Sequence, residues 1–407
     1  MRSFAQTLSV DCCLLTVVSS LSTLNPKPKT LTLNPMHKPL YTILLGFLCF
    51  ACFSCEKKVP TPHLEEEGID DTPEFLVIFP PNGPGDNGYL DKVLSAVSRF
   101  SIEYPGIVRI MQTSEFNTDS LGGSLLLPSI DYMTMDEAQD DTTLAIFVGT
   151  EFKEILYNSE APEGKLKVLL LEDDGVGAPE WLHTGKIERY GASYLAGAMV
   201  EQQRAVIIAA MPGDPVLEPS IEGFKKGYES VKGREVDSVY YLANDFTGFT
   251  MQRRARAIVD SIQQNDMLSY YTIFPLAGAA NIGTYSGLYE VTFMQAIGMD
   301  NDYSAISDNI PFSINIRIDA ILQEYLEQWH ATKQLPKRRF EGLDSEYVEF
   351  VFNPTWNSTE TFFDWEDEDQ IWSEEDWDVV LTSEFWKQRY EQFIDKAIEE
   401  EKTYARY

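Results

Sequence analysis

The loop Gly83-Pro-Gly85-Asp86-Asn87-Gly88 carries the most chemical promise in this chain. Its glycines follow the pattern G-x-G-x-x-G between an apolar run and an amphipathic one, the place where backbone N–H groups can hold a dinucleotide pyrophosphate. Three features argue against that use. Pro80 and Pro81 lengthen the turn, Pro84 fills its crowded interior, and the following strand ends in Gln112-Thr113, where a ribose-binding acid is needed. A glycine loop facing a smaller ligand in a cleft fits these residues, with Asn87 inside it as a candidate contact.

Catalysis has little to stand on. The chain holds no H-E-x-x-H, G-x-S-x-G or G-x-x-x-x-G-K motif, and of its four histidines the two in the expected folded region, His183 and His330, are each isolated. Hydrolysis of a sugar or nucleoside needs paired carboxylates across a cleft, and Asp86 with Asp300 is the one pair to nominate. No catalytic residue, metal or cofactor is expected. A net charge of −32, from 64 acidic and 32 basic residues, opposes binding to nucleic acid.

The elements that must position these residues are legible in the apolar pattern. Strand-length runs at Phe75–Phe79, Val108–Met111, Leu144–Val148 and Leu166–Leu171 alternate with helical spacing over Tyr89–Tyr104 and Glu151–Tyr157. The rhythm repeats with helices 192–203, 220–231 and 250–264, strands 205–210, 238–242 and 271–275, and a short strand 297–299. Runs rich in Val, Ile and Leu on both faces predict parallel sheets covered by helices. The expected fold is therefore α/β with two Rossmann-like lobes: residues 74–190, with a return from the C-terminal region, and residues 191–340. Ligands of such sheets meet the loops after the strands, so Gly149, following Leu144–Val148, is a further candidate.

Residues 341–407 read as an acidic, aromatic extension holding five of the seven tryptophans, among them Trp356, Trp365, Trp372, Trp377 and Trp386. Tryptophans at this density predict packing, on the second lobe or on a partner. A helix over Ser383–Lys402 closes the chain.

At the other end, none of the five cysteines lies beyond Cys55, which excludes disulfides and thiol chemistry downstream. Residues 36–54 carry His37 and Lys38, then an apolar run too short to span a bilayer, then Ser54 before Cys55. This resembles a lipoprotein signal peptide, making Cys55 the expected lipidation site. Residues 55–73 form a polar tether. Residues 1–35 fit neither signal nor domain and read as a non-structural leader or a wrongly assigned start. The expected location is the cell envelope, with the folded part outside the cytoplasm.

Six segments occur in the order and spacing of the basic membrane protein (BMP) family: Gly85-Asp-Asn-Gly-Tyr-Leu90, Tyr194-Leu-Ala-Gly197, Ile221-Glu-Gly-Phe-Lys-Lys-Gly-Tyr228, Asn244-Asp-Phe-Thr247, Phe274-Pro-Leu-Ala-Gly278 and Ala296-Ile-Gly-Met-Asp300. The resemblance covers about residues 75–350. It implies a lipoprotein of the type I periplasmic-binding-protein fold, the nucleoside-binding component of an ABC transporter with a membrane permease as partner. It also implies a site in which Asp86 and Asp300 hold sugar hydroxyls, Tyr89 and Phe246 supply aromatic faces, and Gly278 lies in a glycine loop. The chain departs from the pattern at Leu90, where the family has Asn, at Gly248, where it has Asp, and at Ile316, where it has Lys, although Arg317 is kept. These losses remove polar specificity. They leave room for an alternative, a surface lipoprotein with an interaction role that no longer binds a small molecule.

Overall fold

The computed structural model describes residues 73–113, 143–162, 166–265, 269–288, 294–359 and 380–405. The leader, the signal segment with Cys55, the tether up to residue 72, and Trp365, Trp372 and Trp377 lie outside the described residues.

Strands β1 (Phe75–Phe79), β3 (Leu144–Val148) and β4 (Lys167–Leu171) are almost wholly buried on both faces, as central parallel strands must be. With β2 (Val108–Gln112), β5 (Leu182–Ile187) and β12 (Arg338–Glu341) they form a six-stranded parallel sheet in the order β12-β5-β4-β3-β1-β2. Helix α1 (Tyr89–Glu103) buries Leu90, Val93, Ala96, Val97 and Phe100, a stripe at helical spacing, and α2 (Lys153–Asn158) follows β3.

The second lobe holds a four-stranded parallel sheet, β7-β6-β8-β9, from β6 (Arg204–Ala209), β7 (Ser238–Tyr241), β8 (Tyr271–Leu276) and β9 (Met294–Ala296). Beside it runs a three-stranded sheet of β10 (Gly298–Asp300), β11 (Phe312–Ile316) and an antiparallel β13 (Val348–Phe352). Helices α3 (Tyr190–Met199) and α4 (Leu217–Lys232) pack backbone to backbone. A β-carbon at Gly197 would overlap the Phe224 carbonyl, and one at Gly227 the Tyr194 carbonyl. The glycines of two segments singled out in the sequence thus serve this helix contact rather than a ligand. Helices α5 (Gln252–Asn265) and α6 (Asn281–Gly287) pair in the same lobe.

The lobe boundaries differ from the 74–190 and 191–340 division. Helix α7 (Ile318–Thr332) packs on α1, and β12 pairs with β5, so residues 318–341 belong with the first lobe. The described chain therefore passes between lobes near Arg189, at Arg317 and through Gly342–Tyr347. The described part of the extension is integral to the second lobe. Helix α8 (Ser383–Tyr404) lies on α3, and Trp386, fully buried, packs against Phe312 and Trp356. A short antiparallel pair, β14 (Asn357–Thr359) with β15 (Val380–Thr382), leads into it. No helix among the described residues is long and apolar enough to cross a membrane.

Candidate functional site

Both sheets point the C-terminal ends of their strands at a common cavity of about 690 Å³, open solvent at its mouth included. The first lobe contributes Asn82, Asp86 and Tyr89 after β1, Gly149 to Glu151 after β3, and Glu172 after β4. The second adds Asp214 and Leu217 after β6, Phe249 after β7, Gly278 after β8 and Asp300 at the end of β10. Contacts across the cleft hold the lobes together. Thr150 Oγ1 donates to Asp214 Oδ2 at 2.7 Å, the Tyr303 hydroxyl to the Asn87 carbonyl at 2.9 Å, and Lys92 Nζ to the Ile316 carbonyl at 2.8 Å. Burial lowers the Lys92 ammonium to about 8, although Asp300 and other nearby acids favour its charge.

Arg189 dominates the wall. It sits where the chain leaves β5 for the second lobe, 4% exposed, and grips Glu172 with two guanidinium nitrogens at 2.6 and 3.2 Å. Its Nε lies 3.7 Å from Asp300 Oδ1, and its guanidinium stands 5.9 Å from the centre of the Tyr89 ring. Burial works against its charge, but Glu172 and Asp300 outweigh that and hold it above the ordinary arginine value. Glu172 and Asp300 both adopt left-handed backbone, φ 66° and 70°. Such conformations cost free energy in residues other than glycine and gather where a side chain must be aimed.

Asp86 is occupied at the start of α1. Its carboxylate accepts from the backbone N–H of Gly88, Leu90 and Asp91 at 2.9–3.1 Å while also lining the cavity. Burial raises its pKa despite those bonds. The loop glycines do not line the cavity: Gly85 and Asn87 donate their N–H groups to Asp91 at 2.6 and 2.7 Å, so the amides a pyrophosphate would need are already engaged.

Of the residues nominated from the sequence, Asp86, Tyr89, Gly149, Gly278 and Asp300 stand on one cavity wall. Asn87 and Phe246 do not. Asn87 is exposed and meets the other lobe through its carbonyl. Phe246 opens a short 3-10 turn, Phe246–Thr250, that presents Phe249 to the cavity, and the two rings stack at 6.4 Å. Gly248, in the same turn, is pressed on Ala210, where any β-carbon would overlap the Ala210 carbonyl; the backbone itself excludes an acid there.

The sequence reading missed Arg189, Glu172, Glu151, Asp214 and Phe249. A signal existed for Glu172 and Glu151, since each follows a strand that was recognised. The polar run Leu182-His-Thr-Gly-Lys-Ile187, by contrast, gives no strand signal, and Arg189 is placed by it. The two described histidines are structural: His183 Nδ1 lies 3.0 Å from the Pro336 carbonyl, and His330 lies 2.9 Å from Glu74 and against Tyr104. Among the described residues no group of three His, Cys, Asp or Glu side chains is placed to hold a metal.

No family model matches the chain, and no curated protein matches it. Solved structures do. A solute-binding protein of an ABC transporter system from Aeropyrum pernix K1 superposes with a TM-score of 0.57 at 16% identity, over 80% of this chain and 86% of its own. An ABC transporter periplasmic solute-binding protein from Actinobacillus succinogenes 130z, with bound D-allose, gives 0.52 at 11% identity, over 69% and 98%. A transcriptional activator of the comK gene from Bacillus halodurans gives 0.52 at 14% identity, over 79% and 96%. At these identities the likeness establishes a fold, the two-lobed α/β architecture of periplasmic binding proteins, and that fold serves more than one role.

Proposed function

We propose that this chain is a solute-binding protein that captures a small hydroxyl-rich molecule, a sugar or nucleoside, between its lobes and delivers it to an ABC-type permease. The observation that carries this reading is the cavity itself. Strand ends of both lobes converge on it, acids and an arginine line it, and the rings of Tyr89 and Phe249 stand on its wall. Carboxylates accept from paired hydroxyls, a guanidinium donates to ring or hydroxyl oxygens, and an aromatic face covers the apolar side of a sugar or a base. Hinge motion at the crossovers near Arg189, Arg317 and Gly342 would admit and enclose the solute.

In the same reading Cys55 carries a lipid after signal cleavage, and the tether keeps the lobes at the envelope surface near the permease, as the BMP-family resemblance implies. The acidic surface is consistent with a solute-binding role rather than a nucleic-acid one.

A thermal-shift screen of the purified chain against nucleosides, bases and monosaccharides tests the proposal, because a ligand specific to the folded state raises its stability by mass action. A midpoint rise that Asp300→Ala and Phe249→Ala both abolish is expected. No rise with any member of these classes refutes it.

A further inference from the structure

Charge around the cavity is uneven: five carboxylates, Asp86, Glu151, Glu172, Asp214 and Asp300, face one guanidinium, Arg189. Four of the five are accounted for. Asp86 caps α1, Glu172 and Asp300 share Arg189, and Asp214 accepts from Thr150 and from the N–H groups of Val216 and Leu217 at the start of α4.

Glu151 is different. It is 9% exposed and lies on the cavity wall, and among the described residues its carboxylate accepts from its own backbone N–H alone. The charged group facing it is Asp214, of like sign, while Arg189 is engaged elsewhere on the wall. Gly149 makes room for this: with φ 118°, it lies where any β-carbon would overlap Glu151 Oε2. Burial first, and then Asp214, push the Glu151 carboxyl up to about 8, which favours its protonated form at neutral pH. Two other polar atoms of the wall, Tyr89 Oη and Asn82 Oδ1, are buried without a hydrogen-bond partner of normal geometry.

We infer that the solute carries a basic nitrogen, as an amino sugar or amino-nucleoside does, and that its ammonium seats against Glu151 and Asp214 while its hydroxyls meet Tyr89 and Asp300. This rests on the solute-binding reading above. The ammonium brings the positive charge that this end of the cavity lacks, together with N–H donors for carboxylate oxygens. On binding, the Glu151 carboxyl releases its proton to solvent and becomes the carboxylate of an ion pair; no covalent bond of the solute changes. An anionic solute would add a further negative group to a wall that already holds several carboxylates.

Isothermal titration of the purified chain at pH 7, in two buffers of different ionisation enthalpy, tests this with matched probes: D-glucosamine, D-glucose and D-glucuronate, and 3′-amino-3′-deoxyadenosine with adenosine. In at least one set the amine should bind about tenfold or more tightly than its hydroxyl counterpart, with net proton release equal to the Glu151 proton less the fraction taken up by unprotonated amine, and with no binding of the glucuronate. Glu151→Gln should remove both the preference and the proton release. Equal binding of amine and hydroxyl probes, or an amine preference without proton release in the unaltered protein, overturns this inference and leaves the solute-binding reading standing. Absence of binding by every probe overturns both. The proton count is read on the unaltered chain, so the test survives poor folding of the variant.

Discussion

Two buried glutamates of this molecule meet opposite fates. Glu401, near the end of α8, is 5% exposed and has a complete set of partners: Oε2 accepts from Gly191 N–H at 2.8 Å and Oε1 from Leu343 N–H at 2.7 Å. It thereby ties the C-terminal helix to two of the crossovers between the lobes. Glu151 is also buried but, among the described residues, has its own N–H as donor and a cavity in front of it. Burial is the first cause of the raised pKa in both, about 7 for Glu401 and about 8 for Glu151. Burial and titration therefore do not separate an architectural acid from a recognition acid. The surroundings do, because each oxygen of Glu401 is held by a backbone N–H inside the fold whereas Glu151 faces a cavity.

The comparison can be broken at several points. Arg189→Met, which leaves Glu172 and Asp300 buried without their cation, should cost about 3–5 kcal/mol in urea unfolding and abolish solute binding. A loss of stability with binding retained would show that the arginine serves only its neighbours.

The next effect concerns pH. A carboxyl whose folded pKa lies above its unfolded value binds more protons when folded, so its contribution is complete at pH below about 4.5 and is lost as pH rises through the folded value. For Glu151 the window runs from about 4.5 to about 8, and the loss is on the order of a few kcal/mol. Thermal midpoints of the empty protein should fall across that window, and Glu151→Gln should flatten the decline. Glu401 adds a similar slope ending near pH 7, which Glu151→Gln leaves in place.

Glu401→Gln keeps the volume and one acceptor but leaves one of the two N–H groups unpaired, a cost of about 1–3 kcal/mol with no change in solute preference. An altered preference would mean that the clamp and the cavity are one device. The smallest effect is expected at Phe246→Ala, which should change solute affinity by less than about 0.5 kcal/mol, while Phe249→Ala lowers it clearly; equal losses would put both rings at the ligand.

Parts of this site were open to reading in advance. Asp86, Tyr89, Gly149 and Asp300 follow or end recognisable strands, and the rule that parallel sheets bind beyond their C-terminal edges leads to them. The family resemblance points to Phe246, but linear order does not say which ring of a one-turn 3-10 segment faces inward; packing of Gly248 against Ala210 decides that. Helix α7 had its stripe of Ile321, Leu322, Tyr325, Leu326 and Trp329 in plain view, but its assignment to the first lobe depends on packing with α1, far away in the chain.

By itself the sequence determined the alternation of strands and helices, the parallel sheets, the acidity and the confinement of cysteine to the first 55 residues, since each follows from local periodicity or composition. Tertiary structure alone decided which acids are partnered. Arg189 meets Glu172 and Asp300 across 17 and 111 residues because β4, β5 and β10 end at the same cleft, and Glu401 reaches Gly191 across 210 residues. Glu151 is left over by the same geometry. Whether a carboxylate is satisfied is a property of distances between strand ends, which no local pattern encodes.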